Sequence, residues 1–208
     1  MTSNYRPVSN LTFLSKLVER VVLSRLQKHM DNINFNCSTQ FGYKKHHGTE
    51  TLLLKLVNDL LVGLDSRSGV VLVLIDLSAA FDTVCHNKLI NILSNQLKIQ
   101  GVALKWFKSY LKGRTQRVLI DDQLSEPLEL SFGVPQGSVL GPILFNIYVS
   151  SLSNVFINSG FQTLSYADDN AGYQVFTMSS TNNVLNMSIP SLISNISNWM
   201  HQYFFKNK

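Results

Sequence analysis

The stretch F-Q-T-L-S-Y-A-D-D-N-A-G-Y-Q-V-F, residues 161–176, decides how this chain folds. A short apolar run leads into two adjacent carboxylates, Asp168 and Asp169, and a second run with strand character follows at residues 173–176. This pattern predicts a β-hairpin with both acids at its tip. Such a tip can hold divalent cations, and paired cations are what phosphoryl transfer to a nucleotide needs.

A plain turn is the competing interpretation of these two acids, because Asp tolerates turn geometry. A second pair, Asp121-Asp122, lies between two predicted strands at residues 115–120 and 128–132. We interpret that pair as an ordinary turn. The tetrapeptide Tyr-Ala-Asp-Asp is therefore a weak motif by itself, and the rest of the sequence has to supply the remaining parts of a catalytic site.

The composition indicates a globular chain with a basic surface. Of its 208 residues, 45% are hydrophobic and 15% are charged, so much of the chain is expected to be buried. A net charge of +5 favours a polyanionic partner and is equally compatible with a mildly basic globular protein. Two cysteines, Cys37 and Cys85, build neither a disulfide framework nor a zinc site, which favours a reducing compartment.

No signal peptide or membrane span is expected, since the longest apolar run, residues 70–75, has six residues. Helices are predicted over residues 11–30, 49–64, 87–96 and 104–111, from Ser138 to about 158, and around Leu192, Ile193, Ile196 and Trp199. Thr49 and Ser138 are expected to cap their helices. The apolar run 70–75 is typical of a strand buried on both faces. Helices and antiparallel strands without a strict βαβ repeat indicate the α+β class.

Asp76 ends the most apolar predicted strand. A carboxylate there is costly unless it is exposed and paired or bound to a cation; the alternative is a cap for the following turn. If this strand neighbours the hairpin in one antiparallel sheet, Asp76 and Asp168 converge, and two oxygen donors suit Mg²⁺. Asp82 is predicted to cap the next helix.

Two further segments have both a structural and a functional interpretation. Phe81 is either a core aromatic or a wall against the sugar of a nucleotide, where its ring would clash with a 2′-hydroxyl. Gly133 and Gly137 frame Gln136, and the segment is either an ordinary loop or a place of close backbone approach to a base pair. The loop at residues 44–47, Lys-Lys-His-His, is either solvated or a phosphate-binding loop.

Taken in order, these blocks resemble the reverse transcriptase domain of non-LTR (LINE-type) retrotransposons. The matching segments are residues 5–9 (Y-R-P-V-S), 40–44 (Q-F-G-Y-K), 75–84 (I-D-L-S-A-A-F-D-T-V), 133–142 (G-V-P-Q-G-S-V-L-G-P) and 166–169 (Y-A-D-D). Trp199-Met200 and Phe205-Lys206 are similar to the start of the next block. The ten-residue string at 133–142 is far more specific than the tetrapeptide at 166–169.

The resemblance implies a right-hand polymerase of fingers and palm, with an antiparallel palm sheet packed on helices. Residues 1–67 would form a fingers-side segment and residues 68–208 mainly palm. It implies RNA-directed DNA synthesis from dNTPs on an RNA template and DNA primer, with two Mg²⁺ ions or alternatively Mn²⁺. It also implies an intracellular location, in cytoplasm or nucleus, and no membrane partner.

Residue by residue, the resemblance assigns the roles as follows. The catalytic acids would be Asp76, Asp168 and Asp169, with Asp76 and Asp168 as the metal ligands. Phe81 would be the sugar gate, Gln136 and Gly137 would line the nucleotide pocket, and Lys44 would reach the triphosphate.

The chain departs from the family pattern at several positions: Lys44 replaces an Arg, Ala79 a charged residue, Cys85 an acid and Asn170 a Thr. The family would continue past Lys208 into a thumb and carries an endonuclease upstream, so we expect this chain to be one piece of a mobile element's polyprotein. Two alternatives stay open: a truncated or decayed fragment that binds RNA without catalysis, and an RNA-dependent RNA polymerase, against which Phe81 argues.

Overall fold

The computed structural model describes residues 9–35, 39–77 and 80–204. The chain forms two compact units, each assembled from two separate parts of the sequence. In the described part, the first unit contains residues 9–35 and 80–148, and the second contains residues 39–77 and 149–204. Each unit is therefore held together by contacts between residues that are far apart in the chain.

Helices and short antiparallel strands are mixed along the chain without a regular βαβ repeat, which agrees with the predicted α+β class. The helices are α1 (Phe13–Asn32), α2 (Thr49–Asp65), α3 (His86–Asn95), α4 (Gly101–Leu111), α5 (Gly141–Val149), α6 (Leu152–Asn158), α7 (Thr181–Asn183) and α8 (Ile189–Tyr203). The strands are β1 (Gly69–Asp76), β2 (Thr115–Gln116), β3 (Leu119–Ile120), β4 (Gln123–Leu124), β5 (Leu128–Glu129), β6 (Gln162–Tyr166) and β7 (Asp169–Phe176). Single 3₁₀ turns occur at Ala80–Asp82 and Met178–Ser180, and a π-helical segment, Val184–Ser188, precedes α8.

Local capping sets two of the helix starts. The Thr12 hydroxyl accepts a hydrogen bond from the Ser15 backbone N–H at 3.3 Å and so caps α1. The cap predicted at Thr49 is wrong by one residue, since Gly48 is the cap position of α2 and donates its N–H to the Thr51 hydroxyl. Helix boundaries read from sequence commonly differ by this amount.

The main sheet belongs to the second unit and has the strand order β1-β7-β6, with both pairs antiparallel. The β6–β7 hairpin confirms the strand pair predicted from residues 161–176. Eight consecutive residue pairs join β1 to β7, from Gly69 opposite Phe176 to Asp76 opposite Asp169. Ser165 of β6 also bridges in parallel to Gln40, which adds one pair beyond the hairpin edge.

The prediction that β1 is buried on both faces is wrong. Leu72 is 40% exposed and Leu74 is 71% exposed, while the alternating residues Val71 and Val73 are less exposed. β1 forms the edge of the sheet, so α2 covers it incompletely on the face that carries these two leucines. A continuous apolar run cannot distinguish a central strand from an edge strand whose apolar side chains are partly uncovered.

Both faces of this sheet are packed. On one face, a buried apolar cluster joins α2 to the strands and to the loop before α2, and it contains Phe41, Leu52, Leu56, Leu164, Ala171 and Tyr173. On the other face, the fully buried Phe156 of α6 lies against Gly172 of β7. α8 buries Leu192, Ile196 and Trp199, whose indole N–H donates to the Ser151 hydroxyl at 2.9 Å, whereas Ile193, expected on the same face, is 58% exposed.

The first unit contains the remaining helices and two short strand pairs, β2–β5 and β3–β4. Asp121 and Asp122 join β3 to β4, and both have positive φ, as in the tight turns of β-hairpins. This pair is therefore the plain turn that the sequence predicted. The single helix expected from Ser138 to about residue 158 is instead divided into α5 and α6 at residues 150–151. No helix of the described residues combines the length and apolarity that a membrane crossing requires.

Gly172→Ala tests the packing of α6 on the sheet. An added Cβ would lie 2.3 Å from the Phe156 ring, which is fully buried and cannot move aside, so we expect a loss of about 1–3 kcal/mol in the free energy of unfolding. Chemical denaturation measures the change. Gly48→Ala is the comparison variant, because nothing lies within 4 Å of its Cβ position and its φ is −142°, so it should lose less than about 1 kcal/mol, through the weaker helix cap of α2. Equal effects of the two variants would contradict this account.

Candidate active site

Asp76 and Asp169 lie directly opposite each other at the end of the β1–β7 ladder. Directly opposed residues of an antiparallel pair share one face of the sheet, with their Cβ atoms about 4.5–5.5 Å apart. Both residues are exposed. Two like charges in this arrangement are unfavourable unless something positive lies beside them, so the pair is suited to holding a cation.

Both carboxylates also line one cavity of about 390 Å³ between the sheet and α2. Its other walls are mainly apolar and include Leu52 of α2 and Leu74 of β1, and Thr49 at the start of α2 adds a hydroxyl. The two acids therefore open into the same space. An apolar cavity with a few convergent polar groups is the usual form of a small-molecule or catalytic site.

Asp168 lies in the two-residue loop between β6 and β7, one residue before Asp169. Asp168 is half-buried, and it lies close enough to Tyr43 for its charge to act on the Tyr43 phenol. Burial raises the pKa of the Tyr43 phenol, and the negative charge of Asp168 raises it further. Asp168 thus lies within electrostatic reach of the loop at residues 40–47, while Asp169 faces Asp76.

Gln40 fixes the backbone of this loop. Its side-chain carbonyl accepts hydrogen bonds from the N–H groups of Ala167 (3.0 Å) and Gly42 (2.7 Å), and its amide N–H donates to the Ala167 carbonyl at 3.3 Å. Ala167 has a φ of 55°, a left-handed conformation that costs energy in a residue with a side chain. The Gln40 side chain is 5% exposed, so these bonds are shielded from water and hold the strained residue in place.

Asn170 holds the same turn from the other side. Its amide N–H donates to the Asp168 carbonyl at 2.8 Å, and its side-chain oxygen accepts from the Ser165 hydroxyl at 2.7 Å. The Thr that the family usually has here would offer a single hydroxyl, whereas the Asn amide donates from its nitrogen and accepts at its oxygen, two separate atoms. Gln40 and Asn170 together form what we call the amide clamp of the Ala167-Asp168 turn.

The predicted phosphate-binding residue Lys44 belongs to the loop that the amide clamp anchors. An added Cβ at Gly42 would lie 2.4 Å from the Ala167 backbone nitrogen, so this position requires glycine for close backbone approach. Lys44 follows two residues later and is exposed. The structure therefore connects Lys44 to the same turn as Asp168 through a short, tightly packed backbone segment.

Phe81, Gln136 and Gly137 belong to the first unit, and the three acids and Lys44 belong to the second. Phe81 stacks on Phe145 with ring centroids 4.5 Å apart and is half-buried, so it has both a packed face and a solvent-facing one. The Gln136 amide donates to the Asp82 carboxylate at 2.9 Å. The Val134 backbone N–H donates to the Phe81 carbonyl at 2.8 Å, which also connects the two segments.

The prediction that Asp82 caps the next helix is wrong. α3 begins at His86, with Cys85 in the cap position, and the Asp82 carboxylate accepts from Gln136 instead. The glycines that frame this loop have structural reasons of their own. Gly133 and Gly137 have φ of 88° and 93°, and a Cβ on Gly133 would lie 3.0 Å from the Asp82 backbone.

Glu19 of α1 anchors the other end of this loop. Its carboxylate is 1% exposed and accepts hydrogen bonds from the N–H groups of Val139 (2.7 Å) and Leu140 (3.0 Å), immediately before α5. A negative charge at a helix N-terminus is favoured by the helix dipole and by the unpaired N–H groups there. Ser138 caps α5 as predicted, since its hydroxyl accepts from the Gly141 N–H at 2.9 Å.

Tyr110 of α4 lies beside this buried carboxylate. Burial raises the pKa of its phenol to about 12, and the nearby charge of Glu19 contributes in the same direction. The phenol therefore stays protonated at neutral pH and remains a hydrogen-bond donor.

The carboxylate oxygens of Asp76, Asp168 and Asp169 at the end of the sheet are ligands of the kind that Mg²⁺ prefers. Within residues 9–35, 39–77 and 80–204, no group of three or more His, Cys, Asp or Glu side chains is arranged to hold a metal ion. Mg²⁺ does not need such a cage, because it is typically bound by one or two carboxylates and completes its shell with water and substrate phosphates. Asp168 and Asp169 form no ion pair with a described Lys or Arg, so no internal cation occupies their place.

Sequence reasoning found the acids and missed the residues that position them. Gln40 and Asn170 carry no signal of their own, since their role depends on contacts across more than one element. Glu19 carries no sequence signal either, because four of the apolar residues of α1 at helical spacing, Leu14, Leu17, Val18 and Val21, are exposed while Glu19 is buried. A buried acid requires a partner, and the structure is needed to identify it. The matching segments 5–8, 78–79 and 205–206, and Cys37, lie outside the described residues.

The chain matches a protein-family model described as "Reverse transcriptase (RNA-dependent DNA polymerase)" over residues 1–207. It is 35% identical over 149 residues to the probable RNA-directed DNA polymerase from transposon BS of Drosophila melanogaster, covering 72% of this chain and 16% of that protein. It is 34% identical over 173 residues to the probable RNA-directed DNA polymerase from transposon X-element of the same species, covering 80% and 18%. The chain thus spans less than a fifth of the length of these relatives.

Among solved structures, the fold is similar to apo telomerase from Candida tropicalis truncated from its C-terminal domain. The TM-score is 0.63 at 16% sequence identity, covering 90% of this chain and 39% of that one. At this identity the likeness shows a shared polymerase fold.

Gln40→Met tests the amide clamp. The variant keeps the side-chain length but leaves the buried N–H groups of Ala167 and Gly42 without an acceptor, so we expect a loss of about 2–4 kcal/mol in the free energy of unfolding. Urea denaturation measures it. The control is Gln162→Met, an exposed Gln of β6. An effect of Gln40→Met no larger than that of the control would refute the clamp.

Glu19→Gln tests the anchor of the 133–142 loop. The amide keeps the shape but removes the charge from the α5 N-terminus, and we expect a loss of about 1–2 kcal/mol in the free energy of unfolding. Glu126→Gln, on an exposed loop, is the matched control and should change stability by less than about 0.5 kcal/mol. Indistinguishable denaturation curves for Glu19→Gln and the parent chain would contradict the anchor role.

Proposed function

This chain belongs to the reverse transcriptase family, and we propose that it catalyses RNA-directed DNA synthesis, adding dNTPs to a primer 3′-hydroxyl on an RNA template. The observation that carries the proposal is the direct opposition of Asp76 and Asp169 at the end of one antiparallel ladder, with both carboxylates lining one cavity. Asp168 is one residue away in a turn that the amide clamp holds. This arrangement concentrates acids where a cation-dependent phosphoryl transfer needs them.

The family resemblance implies Asp76 and Asp168 as the metal ligands, with Asp169 as the third catalytic acid, whereas the β1–β7 ladder brings Asp169 opposite Asp76. We therefore propose that Asp76 and Asp169 form the cation-binding pair and that Asp168, one residue away in the turn, is the adjoining ligand. Bound Mg²⁺ would lower the pKa of the attacking 3′-hydroxyl and neutralise charge on the leaving pyrophosphate. The chain's own contribution is to fix the carboxylates. The β1–β7 register positions Asp76 and Asp169, and Gln40 and Asn170 position the turn that carries Asp168.

The finer architecture, with fingers and palm, extends the same proposal. Phe81 is proposed as the wall against the sugar, supported by its half-exposed ring, which Phe145 holds from behind. Gln136 and Gly137 are proposed to line the nucleotide pocket, and Lys44 to bind the triphosphate as an exposed cation on an anchored loop. Lys44 supplies a point charge here, where Arg would supply a bidentate fork.

Asp169→Asn tests the proposal directly. The amide keeps the size of the side chain and removes its charge, so we expect kcat for primer extension on an RNA template to fall at least about 10²-fold, with RNA affinity unchanged. Asp76→Asn should behave in the same way. Extension is measured with Mg²⁺ and dNTPs on a labelled DNA primer.

Asp121→Asn is the matched control, since it alters the other Asp-Asp turn, whose left-handed backbone Asn also accepts. It should retain full extension. Equal extension by Asp169→Asn and the parent chain would show that the synthesis does not come from this site. Preferential use of ribonucleotides by the parent chain would indicate an RNA polymerase instead.

A further inference from the structure

The positive charge of this chain is concentrated in one stretch. Residues 83–120 contain seven of the 18 Lys and Arg residues and none of the 13 Asp and Glu residues. The rest of the sequence has eleven basic and thirteen acidic residues and is therefore slightly acidic. The net charge of +5 is thus a local property of α3, α4 and the strand that follows, all within the first unit.

α4 orders part of this charge on one face. Lys105 and Lys108 of α4 and Lys112, the C-cap residue directly after it, follow each other at the i, i+3, i+7 spacing that places side chains on one side of a helix, over about 10 Å. All three are exposed, whereas Phe107 and Leu111 between them are buried. We call these three lysines the α4 basic face.

No acid is arranged to neutralise this face. In the described part of the chain, none of the three lysines is within ion-pair distance of a carboxylate. α3, which packs against α4, contains no acidic residue. A cavity beside α4 is lined from α1 by Arg25 and His29, so this neighbour adds no negative charge there either.

Helix stability accounts for only part of the pattern. Cations in the last turn of a helix are favoured by the helix dipole, which gives Lys108 and Lys112 a structural reason. Lys105 lies in the middle of α4, outside the reach of that effect. Arg114 is different again, because its guanidinium stacks over the Tyr110 ring at 5.1 Å and is engaged within the chain.

We propose that the α4 basic face is a docking surface for the phosphate backbone of single-stranded RNA, separate from the carboxylate site. Lysine side chains contact phosphates as point charges, and the face carries no Asn, Gln or Arg in position to read base edges. Binding is therefore independent of sequence. The choice of RNA as the polyanion rests on the proposed function, in which every reaction engages an RNA template.

The test measures binding of labelled oligouridine RNA by fluorescence anisotropy between about 50 and 200 mM KCl. For Lys105→Gln/Lys108→Gln/Lys112→Gln we expect weaker binding and a slope of log affinity against log salt reduced by about 2, since each phosphate contact on a single strand contributes about 0.7. The double variant Lys105→Gln/Lys108→Gln should lose about 1.4 of the slope and serves if the triple variant does not fold.

The matched control is Arg20→Gln/Lys28→Gln/Arg67→Gln, which removes the same charge from exposed residues outside the 83–120 stretch. It should leave the slope within about 0.5 of the parent value. An equal loss in both triple variants would show a net-charge effect and overturn the proposal. A loss confined to duplex DNA, with RNA binding intact, would overturn it as well.

Primer extension at saturating RNA distinguishes a failure of the docking surface from a failure of the proposed catalytic function. The lysine variant should extend normally there, while Asp169→Asn binds RNA normally and does not extend. If Asp169→Asn extends like the parent chain and the lysine variant still loses its salt slope, the catalytic proposal fails and the docking surface stands. Parent-like RNA binding by the lysine variant overturns the docking surface alone.

Discussion

The opposition of Asp76 and Asp169 is the constraint on which the candidate site depends. The apolar residues that pair along β1 and β7 fix the register, because a shift of one residue would turn the buried side chains of β7 away from α2. With that register, two like charges must meet at the ladder's end. The packing of the sheet therefore imposes an electrostatic cost at this one position, and a bound cation would relieve it.

Uncharged side chains fix the backbone geometry of the Ala167-Asp168 turn. Ala167 occupies a left-handed conformation that an isolated chain would populate little, and the buried amides of Gln40 and Asn170 satisfy the turn's backbone on both sides. Amides can donate and accept without adding charge beside three carboxylates. The loop that carries Lys44 belongs to the same assembly, since Gly42 brings its backbone against Ala167.

Local patterns were sufficient to predict the hairpin, most helices, the Ser138 cap and the plain turn at Asp121-Asp122, because spacing and turn chemistry decide them. The edge position of β1 and the partner of Asp82 depend on which elements become neighbours, and no short-range signal encodes that. The role of Gln40 could not be predicted for the same reason. Two of its hydrogen bonds reach Ala167, more than 120 residues away, and the third reaches Gly42 in its own loop. The burial of Glu19 could not be predicted either, because most of the apolar residues of α1 at helical spacing are exposed.

The basic pI of the chain comes from one stretch of the sequence, residues 83–120. A uniform +5 would attract any polyanion weakly from all sides, whereas residues 83–120 hold the excess and leave the rest of the chain slightly acidic. A nucleic-acid backbone approaching the carboxylates at the sheet end would be repelled by their negative charge. Attraction therefore has to come from elsewhere in the sequence, and the acid-free stretch around α4 is where this chain has the cations to provide it.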